Sequence, residues 1–163
     1  MKLTKKQERE HIIRMLTSIL ESNILIMEFY KDISIDKKSR DICKKSIEQS
    51  KQGIKTLNEI RHMEILRSMF NKIIVGKETY FATVGSLCAY DRIKIWDTTE
   101  TGFKEFVRLE EEERKLHEKE LQEQQENKEL IERAQREGKK VEMLYDQESK
   151  KIKPVIFEEK PNA

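Results

Sequence analysis

Five glycines and two prolines in 163 residues leave few places for the chain to turn, so its elements must be long. The two cysteines, Cys43 and Cys88, stand far apart and without metal-ligand spacing. That excludes a disulfide framework and a zinc ribbon, and predicts two free thiols in a reducing compartment. No run of 18 apolar residues occurs, so no segment reads as a membrane-spanning helix. The opening MKLTKKQERE lacks the apolar core of a signal peptide, and the expected setting is the cytoplasm or an assembled particle. Neither a Gly-x-x-x-x-Gly-Lys-Ser/Thr loop nor a Gly-x-Gly-x-x-Gly turn is present, so phosphate cradling has no motif behind it. No Ser/His/Asp or Cys/His constellation can be argued from spacing, and no cofactor is expected.

What is abundant is charge, at 39% of residues against 36% hydrophobic. Such a balance starves a single large core and suits long helices, each burying one apolar stripe and solvating the rest. The apolar residues cluster with a helical period, which disfavours disorder. Net charge is only +2, but residues 1–60 carry 13 Lys/Arg against 9 Asp/Glu, and residues 98–139 carry 9 against 13. A basic and an acidic segment on one chain favour charge-complementary contact, within or between copies.

Thr4-Lys-Lys-Gln7 reads as a capping box opening a first helix that ends near Lys31. Its apolar residues, from Ile12, Leu16 and Ile19 to Ile26, Tyr30 and Ile33, form a face broad enough for more than one partner helix. Ser34 or Asp36 offers the next N-cap. A second helix is predicted from Lys37 to Ile74 with Gly53 inside it, stopped by Gly76 in a left-handed C′ position. The short link makes the two an antiparallel hairpin. Residues 77–96 combine aromatic, β-branched and small residues. They fit a helix or two short strands, with strands slightly preferred.

Asp97-Thr-Thr-Glu100 resembles a second capping box and opens a long charged helix to about residue 137, closed by Gly138. Glu110–Arg114, Glu111–Lys115, Glu129–Arg133 and Glu132–Arg136 are spaced as i,i+4 pairs, each adding about 0.2–0.5 kcal/mol. In the tail, VEMLY and KIKPVIF flank Asp-Gln-Glu-Ser, a hairpin pattern with Pro154 confining its strand to an edge. The fold class is therefore mainly α. A long helical hairpin with a small mixed segment (1–97) is followed by a long charged helix (98–138) and an extended or hairpin tail (139–163).

Three functions compete. The first is a non-enzymatic structural or adaptor subunit of a ring, virion or multi-subunit complex, with protein partners or further copies of itself. Phe103, Phe106 and Val107 would anchor the long helix, and Val141, Leu144, Val155 and Phe157 the tail. The alternative is a small nucleic-acid-associated factor. Lys37, Lys44, Lys51 and Lys55 share one helical flank, which Lys45 extends, and could meet phosphate or an acidic partner. Third is a helical-bundle metal protein. Glu59-Ile-Arg-His62 has the Glu-x-x-His spacing of di-iron bundles, with Glu28 as a further carboxylate. The long helix offers only Glu113 and His117 as a counterpart, and His11 beside Glu8 and Glu10 reads as a surface histidine. Membrane binding by the first helix is less favoured, because the second helix is a better partner for its apolar face.

Overall fold

The computed structural model describes residues 1–74, 76 and 79–158. Lys77 and Glu78 of the ambiguous middle segment, and residues 159–163 of the tail, lie outside the described residues. Among those described are six helices and one two-stranded sheet: α1 (Lys5–Ile33), α2 (Lys37–Glu59), α3 (Met63–Ile74), α4 (Tyr80–Leu87), α5 (Tyr90–Thr98), α6 (Glu100–Arg136), β1 (Lys140–Asp146) and β2 (Lys151–Phe157). The chain forms two compact units, Met1–Glu110 and Glu111–Ala163, with the boundary inside α6.

The first unit is built on the α1–α2 hairpin. Thr4 and Gln7 close the predicted capping box reciprocally, by 2.9 and 3.2 Å hydrogen bonds. Asp36 caps α2 through the Ser39 amide, and Ser34 instead caps the C-terminal end of α1, whose last residue, Ile33, lies two residues beyond Lys31. The helices meet along Ile12, Leu16 and Leu20 on one side and Ile47 and Leu57 on the other, all buried. Each such side chain contributes about 1.5–3 kcal/mol by leaving water. The contact is close because α2 presents Ser50, Gly53 and Thr56 to it. A Cβ on Gly53 would stand 3.0 Å from Leu20 Cδ1 and 3.1 Å from the Leu87 carbonyl oxygen.

The predicted second helix is not continuous. It breaks at 60–62, where Ile60 takes extended geometry (φ −61°, ψ 128°) and buries its side chain. The break is held from afar: the Asp97 carboxylate accepts the amide hydrogens of Arg61 (2.9 and 3.0 Å) and His62 (2.9 Å). It thereby serves the start of α3 as an N-cap borrowed from another element. Beyond α3, the Gly76 amide donates to the Asn71 carbonyl, and a Cβ there would fall 2.0 Å from the Lys72 carbonyl oxygen. Only glycine fits at that stop.

The middle segment is helical, which corrects the preference for strands. Thr79 caps α4 through the Ala82 amide, and the chain turns at Cys88–Ala89 into α5. Leu87 and Ile93 reach the core from these two helices, so burial at helical spacing outweighs β propensity. Asp97 belongs to α5 and does not cap α6. That role falls to Thr99, whose hydroxyl accepts the Gly102 amide at 3.0 Å.

In the second unit α6 ends at Arg136 with a glycine stop. Gly138 has φ 68°, its amide donates to Gln135, and the Lys139 amide donates to Ala134. These are the two bonds of a Schellman motif. β1 and β2 then pair antiparallel, with Met143 opposite Pro154 and Tyr145 opposite Ile152. The Asp146 side chain accepts from the Ser149 amide and hydroxyl, and Lys150 carries the left-handed turn residue (φ 54°). Lys151 Nζ bonds Glu123 of α6 at 2.6 Å. Pro154 has no amide hydrogen to donate, and a two-stranded sheet has only edge strands, so it is tolerated.

Candidate interaction surfaces

The start of α6 is fixed inside the first unit by aromatic packing. Phe103 stacks on the His62 ring (centroids 4.2 Å apart, planes 20°), and Phe106 is buried with Trp96 at 5.4 Å. Val107, expected to join them, points to solvent. His62 Nδ1 also lies 2.9 Å from Asp97, so the corner ties α3, α5 and α6 together. Burial alone would raise the Asp97 pKa. The amides of His62 and Arg61 and the His62 ring outweigh it and hold the carboxyl below the ordinary aspartate value.

A second polar group lies deeper. Asn23 is buried in α1; its amide nitrogen donates to Ser46 (3.1 Å) and Ser50 (2.9 Å) of α2, and its oxygen accepts from Tyr80 of α4 (3.3 Å). Every polar atom of Asn23 is engaged with a defined neighbour, which specifies one packing of three helices. Neither Asn23 nor Asp97 stood out in the sequence as such. Asn23 did have a signal, being the polar residue at the core position after Ile12, Leu16 and Leu20.

The metal candidates do not converge. Glu59 is exposed, His62 is committed to Asp97 and Phe103, and His11 packs edge-on to Phe70 at 6.0 Å. Glu8 forms a bidentate pair with Arg67 (2.7 and 2.9 Å). Among the described residues, no group of three or more His, Cys, Asp or Glu is placed to hold a metal ion. A cavity of about 150 Å³ opens beside Leu87, Arg92, Ile93, Trp96 and Phe106. Ser68, Lys72 and Ser86 also line it, and Ser68 and Lys72 are both bonded to Glu110 (2.8 and 2.9 Å).

The lysine flank of α2 is present, but it is not uniformly basic. Asp41 and Glu48 lie within the row formed by Lys37, Lys44, Lys51 and Lys55, and pair with Lys44 (4.0 Å) and Lys51 (3.7 Å). Lys37, Lys38 and Lys45 surround a shallow depression with Asp41 and Ile42. On α6 the expected pairing is realised for Glu111–Lys115 (3.8 Å). Arg114 binds Glu111 and Glu118, Arg136 reaches the Glu132 carbonyl, and Glu110 takes Ser68 and Lys72 of α3.

Among the described residues, exposed apolar side chains gather on the hairpin and on α1. On the hairpin, directly paired residues share a face, so the register places Val141, Met143, Tyr145, Ile152, Pro154 and Ile156 together. Apart from the Tyr145 hydroxyl this face is apolar; Met143, Tyr145 and Ile152 are exposed, and Val141, Pro154 and Ile156 are half-buried. Leu144, Val155 and Phe157 lie on the opposite face among Lys140, Glu142, Asp146, Lys151 and Lys153, so the four tail residues expected to act together are split between faces. The other surface is the C-terminal half of α1, where Leu25, Ile26, Phe29, Tyr30 and Ile33 are exposed. Among the described residues, no helix is long and apolar enough to cross a membrane.

The chain matches no protein-family model, no curated protein and no solved structure.

Proposed function

We propose that this protein is a non-catalytic structural or adaptor subunit of a larger protein assembly, such as a ring, a virion or a multi-subunit complex, acting through helix packing and its C-terminal hairpin. The observation that carries this reading is the hairpin's apolar face. An isolated two-stranded hairpin is marginal in water, and its exposed strands and apolar face invite a covering partner. Dense pairing of the α6 charges supports a solvated connecting helix rather than a reactive surface.

The test is the absolute mass in solution by light scattering, with and without residues 139–163. An oligomer that dissociates on truncation supports a subunit held by its tail. A chain that is monomeric in both forms contradicts self-assembly, the form of the reading we favour.

A second reading takes the α2 lysine flank as a nucleic-acid contact, motivated by the depression among Lys37, Lys38 and Lys45. Charge reversal at Lys44, Lys45 and Lys51 would then lower affinity and flatten its salt dependence. Absence of binding to every DNA and RNA tested removes this reading.

A further inference from the structure

α1 carries two apolar stripes. One, through Ile12, Leu16, Leu20 and Asn23, is buried against the rest of the first unit. The other runs Met15, Ile19, Ser22, Ile26, Phe29, Ile33, with successive gaps of four, three, four, three and four residues. That alternation is the spacing of a heptad seam, which keeps one line of side chains facing a second helix. Met15 and Ile26 are each 39% exposed, Phe29 61% and Ile33 56%, while Ile19 is half-buried with one side against the core, and Leu25 at 68% and Tyr30 at 50% flank the line.

Taking about 200 Å² for a fully exposed large apolar side chain, these residues leave on the order of 600 Å². That is the upper end of the roughly 300–600 Å² of the largest patch on a typical monomer, which is often functional. Ser22, the one polar member, already donates its hydroxyl to the Ser18 carbonyl at 2.9 Å. It can be covered without stranding a donor.

The charges of α1 select the occupant. Residues 5–16 hold Lys5, Lys6, Arg9 and Arg14 against Glu8 and Glu10, whereas residues 17–33 hold Glu21, Glu28 and Asp32 against Lys31. Each half therefore complements the other half of the same helix in reverse direction. Arg14, Glu21, Glu28 and Asp32 fall along one edge of the exposed stripe by helical spacing, where an antiparallel copy centred between Ser22 and Ile26 sets Arg14 beside Asp32, the favourable pair, and Glu21 beside Glu28.

We propose that α1 pairs antiparallel with α1 of a second copy of this chain through this stripe, layering Met15 on Ile33, Ile19 on Phe29 and Ser22 on Ile26 of the second copy, and reciprocally. The pairing is isologous and closes at two. It rests on the assembly reading above and names one of that assembly's contacts.

The test is sedimentation velocity of the full chain over about 1–100 μM, which detects dissociation constants in the micromolar range and tighter. Three variants accompany it: Ile26→Glu with Phe29→Glu, Arg14→Glu, and Arg14→Glu combined with Glu28→Arg and Asp32→Arg. The dimer is expected for the native chain and absent in the first variant, with its helical circular dichroism intact because both side chains are exposed. Arg14→Glu is expected to weaken dimerisation about tenfold, and the triple charge swap to restore it. Ile95→Glu, also at an exposed position, leaves the native mass unchanged. An oligomer indifferent to the first two variants overturns the α1 pairing and leaves the assembly reading standing. A chain monomeric at every concentration overturns the α1 pairing together with the self-assembly form of that reading. Failure of the charge swap to restore association overturns the antiparallel direction.

Discussion

Asp97 Oδ1 lies 2.9 Å from His62 Nδ1, and the same buried carboxylate takes the backbone amides of Arg61 and His62. With the carboxylate ionised, Nδ1 carries the shared proton. One side chain at the end of α5 thus holds the break between α2 and α3 and orients the ring on which Phe103 stacks. Replacing Asp97 with alanine strands two amides and is expected to cost about 2–4 kcal/mol in urea-induced unfolding. Asp97→Asn, which keeps one acceptor, costs less. An unchanged urea midpoint for Asp97→Ala would show that the corner holds without it.

The sign of the pH dependence follows from the depressed Asp97 pKa. Its contribution is fully present above the unfolded-state value of about 3.9 and is lost as pH falls through the lower folded-state value. Acid unfolding of the native chain should therefore be steeper below about pH 4 than that of Asp97→Asn. Parallel acid-unfolding curves for the two would contradict this.

The close approach at Gly53 sets two effects against each other. Alanine there gains about 1 kcal/mol of helix propensity. Its Cβ, however, meets the Leu87 carbonyl oxygen at 3.1 Å, and a backbone atom yields less readily than the Leu20 side chain. Overpacking typically costs about 1–3 kcal/mol, so Gly53→Ala should be destabilising on balance, and Gly53→Val more so. Thermal unfolding measures both, and a raised Tm for Gly53→Ala would mean that α4 shifts freely.

At the hairpin turn, the Ser149 hydroxyl and amide, with the Lys153 ammonium nearby, hold the Asp146 carboxyl down to about 2. A carboxyl-carbon NMR titration should place its midpoint near that value, and Ser149→Ala should move it upward. A midpoint in the ordinary aspartate range would mean that the turn is not formed in solution.

The helix starts at Thr4 and Asp36 were legible because their capping groups are local in sequence, as was the glycine stop at Gly138, but the equally local caps at Thr79 and Thr99 were not singled out. The interruption at 60–62 was not legible, because its cap arrives from Asp97, more than thirty residues away. That assignment also misled the reading of α6, since Asp97 resembles a local cap but is spent at the distant corner. The middle segment read ambiguously because its β-branched and aromatic content favours strands while Tyr80, Val84, Leu87 and Cys88 share a helical face, and packing against α1 and α2 decides between them. The tail pattern gave the hairpin but not its facing. Val141 and Leu144 are three residues apart, an odd interval that sends them to opposite sides of a strand. Breadth of the α1 face was visible from the outset, whereas the division into a buried and an exposed stripe needed the position of α2.

The most direct measurement of the central claim is amide hydrogen exchange across residues 140–157 as a function of protein concentration. If the hairpin is a docking element, its amides exchange rapidly in the dilute chain and become protected as the assembly forms, with Met143, Tyr145 and Ile152 among the most affected. Full protection in a dilute monomer, unchanged at high concentration, would mean that the hairpin is satisfied within its own chain and would contradict the account.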